Sequence, residues 1–121
     1  MRTTEEVLRD HLERRRLGDL EGDIDNNYSD DLVVLSKDGV FRGKDGIRHT
    51  AGILADNLPD ARFEYDLLRI ADDFALLSWS ATASDGSRTC HGADSFVVRD
   101  GRIAVQTIHF EVKPGPDGDR G

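Results

Sequence analysis

The sequence predicts an α+β domain in which helices come first and an antiparallel meander of strands follows. Three observations carry this expectation. Helical periodicity with capping signals runs up to Pro59, long strand-like runs fill the chain after it, and Asp-Gly pairs separate the later runs.

Thr3 with Glu6 forms a capping-box pattern, and Val7, Leu8, His11 and Leu12 recur at helical spacing until Leu17-Gly18. Glycine is a natural helix stop, so the first helix is expected over residues 4 to 17. Asp19 can cap a second, short helix carrying Leu20 and Ile24, which ends near Tyr28-Ser29-Asp30-Asp31 before the apolar strand Leu32 to Leu35. Lys37-Asp38-Gly39 turns that strand into Val40-Phe41-Arg42 as a hairpin. A third helix fits Lys44 to Asn57, with Ile47, Ala51 and Leu54 on one stripe and Pro59 ending it. Four strands then follow, Phe63 to Ala71, Phe74 to Ala83, Arg88 to Arg99 and Ile103 to Val112. Asp72-Asp73, Asp85-Gly86 and Asp100-Gly101 separate them, and the Asp-Gly pairs suit turns that need positive φ. Residues 1 to 113 read as one domain, and from Pro114 to Gly121 the tail lacks core residues and is expected to be disordered.

Both rows of the last strand are partly apolar: Ile103, Val105, Thr107 and His109 on one side, Ala104, Gln106, Ile108 and Phe110 on the other. Helix cover on one face and a second copy of the chain on the other would account for this, so a homodimer through the outer sheet face is expected.

A chain of 121 residues with 37% hydrophobic content can bury a core without staples. Its net charge of −8 argues against nucleic acid or an anionic membrane as partner. The run Arg14-Arg15-Arg16 does not reverse this, because it falls at a helix end where cations favour the dipole. The single cysteine, Cys90, excludes an intrachain disulfide framework and reads as a small core residue. The N-terminus has no apolar run of signal-peptide kind, and a cytoplasmic location is expected.

Asp94 is the residue that points to chemistry. It shares a strand row with Cys90, Gly92, Phe96 and Val98, so its carboxyl faces an apolar core. An unpaired carboxylate there is expensive, so Asp94 either has a buried donor or keeps its proton, and it should titrate above about 3.9. Trp79, His11 and a backbone N–H are its candidate partners. His11 lies on the apolar stripe of the first helix and should face the sheet. A satisfied core histidine and a proton-transfer partner of Asp94 are both open at this point. Trp79 and Tyr28 read as core aromatics or pocket walls whose polar ends need partners. His91 and His109 fall on the opposite row from Asp94, and His49 lies off its helix stripe. No clustered histidines and carboxylates, no G-x-G-x-x-G and no G-x-S-x-G are present, so no metal and no cofactor is expected.

The order of elements, with Leu17-Gly18-Asp19-Leu20, Tyr28-Ser29-Asp30-Asp31-Leu32-Val33, Phe41-Arg42-Gly43-Lys44-Asp45-Gly46-Ile47 and Gly92 to Ile103, resembles the nuclear transport factor 2-like superfamily, in its SnoaL-like and ketosteroid-isomerase-like branches. The resemblance implies a cone-shaped half-barrel, a cystatin-like roll in which three helices close a curved, mostly antiparallel sheet around a deep apolar pocket. It also implies dimerisation through the outer face. It places Asp94 where the isomerase keeps a protonated aspartic acid that donates to an oxyanion, a case the isomerase illustrates for raised pKa values in general. His11 falls where that enzyme has a tyrosine and Ser36 near its general base, which argues against steroid isomerisation. The expected function is binding of a small apolar molecule, with Asp94 and His11 as acid/base residues on a carbonyl or hydroxyl and Trp79, Tyr28, Phe96, Gln106, Ile108 and Phe110 as lining. The rival is a non-catalytic ligand-binding or dimerisation module of the same fold.

Overall fold

The computed structural model describes residues 1–115. Helix α1 spans Thr4–Arg16, α2 Leu20–Asn27 and α3 Lys44–Asn57; strands are β1 Tyr28–Ser36, β2 Gly39–Arg42, β3 Arg62–Ala71, β4 Phe74–Thr82, β5 Arg88–Arg99 and β6 Arg102–Pro114. The six strands form one sheet in the order β2-β1-β6-β5-β4-β3, antiparallel except where β1 runs parallel to β6. Three helices pack on it, which is the α+β arrangement the sequence predicts.

Capping explains the helix starts. The Thr3 side chain accepts from the Glu6 N–H while Glu6 accepts from the Thr3 N–H, closing the box at α1, and Asp19 accepts from the Gly22 N–H at α2. Val7 and Leu8 of α1 and Ile24 of α2 are fully buried against the sheet. At the β5–β6 hairpin both Asp100 and Gly101 have positive φ, as a two-residue primed turn requires.

The structure departs from expectation in three places. Strand β1 begins at Tyr28 rather than Leu32, so Asp30 and Asp31 are exposed strand residues. Strand β6 continues through Pro114, which pairs with Arg88. Lacking an N–H, proline is tolerated at a strand end, and the next N–H, that of Gly115, donates to Ser87 O at 2.9 Å. The rest of the expected disordered tail, residues 116–121, lies outside the described residues.

The third departure concerns Ile103. Val97 pairs with Val105, but Val98 pairs with Ile103, so Ala104 is an extra residue on β6. The bulge turns Ile103 inward, where it is fully buried, and removes it from the outer apolar row. That face instead carries Phe74, Val97, Val105 and Val33 in one register row, with Leu76 and Leu35 in the next. A second bulge, at Asp66 of β3, lies between the Tyr65–Trp79 and Leu67–Ser78 pairs. Such bulges bend and twist a sheet, consistent with its wrapping around the helices.

Candidate functional site

Between the helices and the inner sheet face lies a cavity of about 300 Å³, the lower end of the range that holds small ligands. The sheet supplies Leu77, Trp79, Asp94, Gln106, Ile108 and Phe110; α1 supplies His11, Leu12 and Arg15; α3 supplies Ile47, Thr50, Ala51, Ile53 and Leu54. Phe63, Tyr65 and Tyr28 complete much of the wall.

Asp94 stands on β5 in the register row of Leu77 and Ile108 and is 9% exposed. Trp79 Nε1 donates to its Oδ1 at 3.1 Å, and Gln106 Nε2 donates to its Oδ2 at 3.2 Å. Trp79 comes from β4 and Gln106 from β6, so the two neighbouring strands hold the carboxyl from either side. The Gln106 amide is itself fixed, because the Tyr28 hydroxyl donates to its Oε1 at 2.5 Å. Burial pushes the Asp94 pKa up to about 6; the Trp79 hydrogen bond, charge on His11, the Gln106 hydrogen bond and Arg15 each pull it down, and burial dominates. Burial likewise holds the Tyr28 hydroxyl well above its ordinary value, so it stays a donor.

His11 does not hydrogen-bond Asp94. Its Nδ1 lies 2.9 and 2.8 Å from the two oxygens of Asp23, a fully buried carboxylate on α2. Asn27 Nδ2 also donates to Asp23 Oδ1, at 2.9 Å. In the neutral ring this pairing puts the proton on Nδ1 and leaves the lone pair on Nε2. The ring meets Tyr28 and Phe96 edge-on, with centroids 5.8 and 5.5 Å away.

Of the lining residues expected from sequence, Trp79, Tyr28, Gln106, Ile108 and Phe110 border the cavity together with Asp94 and His11. Phe96 does not: it is packed into the core against the His11 ring. Asp23 escaped notice in the sequence, although its spacing to Asn27, one helical turn on, places both on one face of α2. Arg15 belongs to the basic run with Arg14 and Arg16, yet it continues the stripe of His11 by four residues. Cys90 is buried, and burial raises its thiol pKa, as suits a core residue.

Comparison with known proteins agrees with this architecture. No curated protein matches the sequence. Among solved structures, an NTF2-like protein of unknown function from Burkholderia pseudomallei superposes with a TM-score of 0.75 at 17% identity, covering 92% of each chain. A provisionally named SnoaL-like polyketide cyclase from Mesorhizobium loti gives 0.67 at 19% identity, over 88% of this chain and 98% of that one. TerC, crystallised with polyporic acid, gives 0.73 at 18% identity, over 89% and 91%. At these identities the likeness is one of fold. The profile of the SnoaL-like domain, by contrast, matches the sequence itself over residues 8–106, and the chain therefore belongs to the SnoaL-like domain family.

Proposed function

We propose that this chain binds a small, largely apolar molecule bearing a carbonyl or hydroxyl in the cavity, and that Asp94 and His11 carry out acid/base chemistry on it. The observation that carries this is the convergence of two proton-transfer groups on one apolar space. Asp94 has a pKa of about 6 and is held at both oxygens, and His11 is oriented by Asp23. A carboxyl with that pKa populates both protonation states near neutral pH, the condition under which a general acid or base is most effective. Asp23 acts here as a positioning residue, holding the imidazole in one tautomer and orientation. The polyketide cyclase-like neighbour makes carbon–carbon bond formation through an enol or enolate one form such chemistry could take.

Proton abstraction next to a carbonyl is the simplest reaction of this class, and it is measurable without the native substrate. The expected result is catalysed exchange of the α-hydrogens of 2-tetralone in D₂O, followed by proton NMR. Asp94→Asn and His11→Ala should each lower the rate by roughly 10²-fold or more. A wild type that binds the ketone but exchanges no faster than buffer would favour the non-catalytic module.

We also propose homodimerisation through the outer sheet face. What supports it is the pair of apolar rows there, in which Phe74 and Leu76 remain 61% and 42% exposed.

A further inference from the structure

The run Arg14-Arg15-Arg16 looks like a uniform solvated helix end, but its members have different surroundings. Arg14 donates to Asp10 and is bridged to Asp19, and Arg16 forks onto Glu13. Arg15 does neither. It lines the cavity, its side chain is 27% exposed, and its nearest carboxylate oxygen, Asp23 Oδ2, is 3.9 Å away, beyond hydrogen-bond reach. Among the described residues its guanidinium donates no side-chain hydrogen bond.

Asp23 does not need Arg15 as a donor. His11 Nδ1 engages both of its oxygens and Asn27 bonds one of them. Arg15 therefore balances charge from a distance while its planar fork stays available. A guanidinium is ionised at every working pH, and its geometry matches a carboxylate through two parallel hydrogen bonds.

We infer that Arg15 is the ligand-recognition residue of the cavity, and that the ligand is an apolar molecule ending in a carboxylate. The inference rests on the cavity being a ligand site, as proposed above, and adds the substrate class. Arg15 follows His11 by one helical turn, about 6 Å along the axis, and is more exposed than the buried His11. A carboxylate held there at the rim puts the apolar body of the ligand inward, against Trp79, Ile108 and Phe110, within reach of Asp94 and His11. Arg15 then fixes which end of the molecule enters, so it decides specificity without taking part in proton transfer.

Octanoate and 1-octanol at pH 7.5 share an apolar body and differ in the head group, and binding of each can be followed by calorimetry and by fluorescence of Trp79, the single tryptophan. Arg15→Gln is expected to weaken octanoate binding by roughly tenfold or more while leaving octanol within about twofold. Arg15→Lys, which keeps the charge beside Asp23 and loses the fork, should weaken octanoate by a smaller factor and again spare octanol. Equal effects on both probes, or none on either, would overturn the inference while leaving the cavity a ligand site. If neither probe binds the wild type, the ligand-site proposal falls and the role of Arg15 falls with it. Should Arg15→Gln fail to fold, the lysine variant decides by the same criterion.

Discussion

Replacing Asp94 with asparagine should stabilise the protein relative to wild type, and the gain should appear only as pH rises. In the folded state the Asp94 pKa stands at about 6, against an ordinary value of 3.8. That difference corresponds to about 3 kcal/mol of unfavourable ionisation in the folded state. The sign follows from linkage: below 3.8 the carboxyl is neutral whether the chain is folded or not, and its ionisation costs nothing. As pH rises from 3.8 through about 6 the unfolded chain ionises first, so wild-type stability falls, and the full penalty is reached above about 6. Asparagine has no such titration. It does face Gln106 Nε2 with an amide nitrogen where Asp94 presents Oδ2, a mismatch relieved only if the Gln106 amide turns over. That change adds an offset of about 1 kcal/mol that varies little with pH. The test is urea denaturation of both proteins from pH 4 to pH 8, followed by Trp79 fluorescence. Some of the penalty, about 0.6 kcal/mol, is already present at pH 4, so the stability difference, asparagine variant minus wild type, should become more favourable by about 2.4 kcal/mol between the two ends. A difference that stays flat, or that moves the other way, would refute the claim that burial dominates the Asp94 environment.

Asp23→Ala should cost about 3 kcal/mol or more in the same assay, because it leaves His11 and Asn27 without their shared acceptor in a fully buried place. Ile103→Ala should cost about 2 to 5 kcal/mol, and Val105→Ala clearly less, since the bulge at Ala104 buries the first and leaves the second half-buried on the outer face; equal losses would contradict the bulged register. A Cβ at Gly92 would run into the Trp79 ring, so Gly92→Ala should displace the indole, weaken its hydrogen bond to Asp94 and raise the Asp94 pKa further, readable by carboxyl NMR and by Trp79 emission. Sedimentation at micromolar concentration should find a dimer with an interface of at least about 1,200 Å², and Leu76→Glu should dissociate it; a wild-type monomer would end the dimer proposal.

Most of the fold was legible because its signals are local. The Thr3–Glu6 box, Gly18, Pro59 and the Asp100-Gly101 turn each fix a boundary through interactions within a few residues. Asp94 was legible for a related reason, since strand alternation places a side chain on a face without knowledge of the partner strand. The misassigned positions depend on information from elsewhere in the chain. Ile103 reads as outward under strict alternation, and only the β5–β6 pairing reveals the extra residue at Ala104. Phe96 shares the inward row of Asp94, but whether an inward residue borders a cavity or a neighbour depends on the helix above it, and above Phe96 sits the His11 ring. The partner of His11 lies twelve residues away on another helix. Helix–helix geometry is not written in the periodicity of either helix, and Asp23 was hidden for that reason.

The polar groups of the site also explain one another. Trp79 from one side and Tyr28 through Gln106 from the other form a hydrogen-bonded chain that meets at Asp94 and draws on three other strands. Without that chain, burial alone would raise the carboxyl further, toward a group protonated throughout the neutral range. With it, the carboxyl is poised near 6. Filling the same row with an apolar residue would give a tighter core, and the sequence instead retains an ionisable group whose charged form opposes folding. Groups that lower stability while meeting at a cavity are the mark of a site organised for binding or proton transfer. Asp23 supports the same site, since hydrogen bonds from His11 and Asn27 and the nearby charge of Arg15 offset its burial, and it holds the His11 ring at the cavity wall.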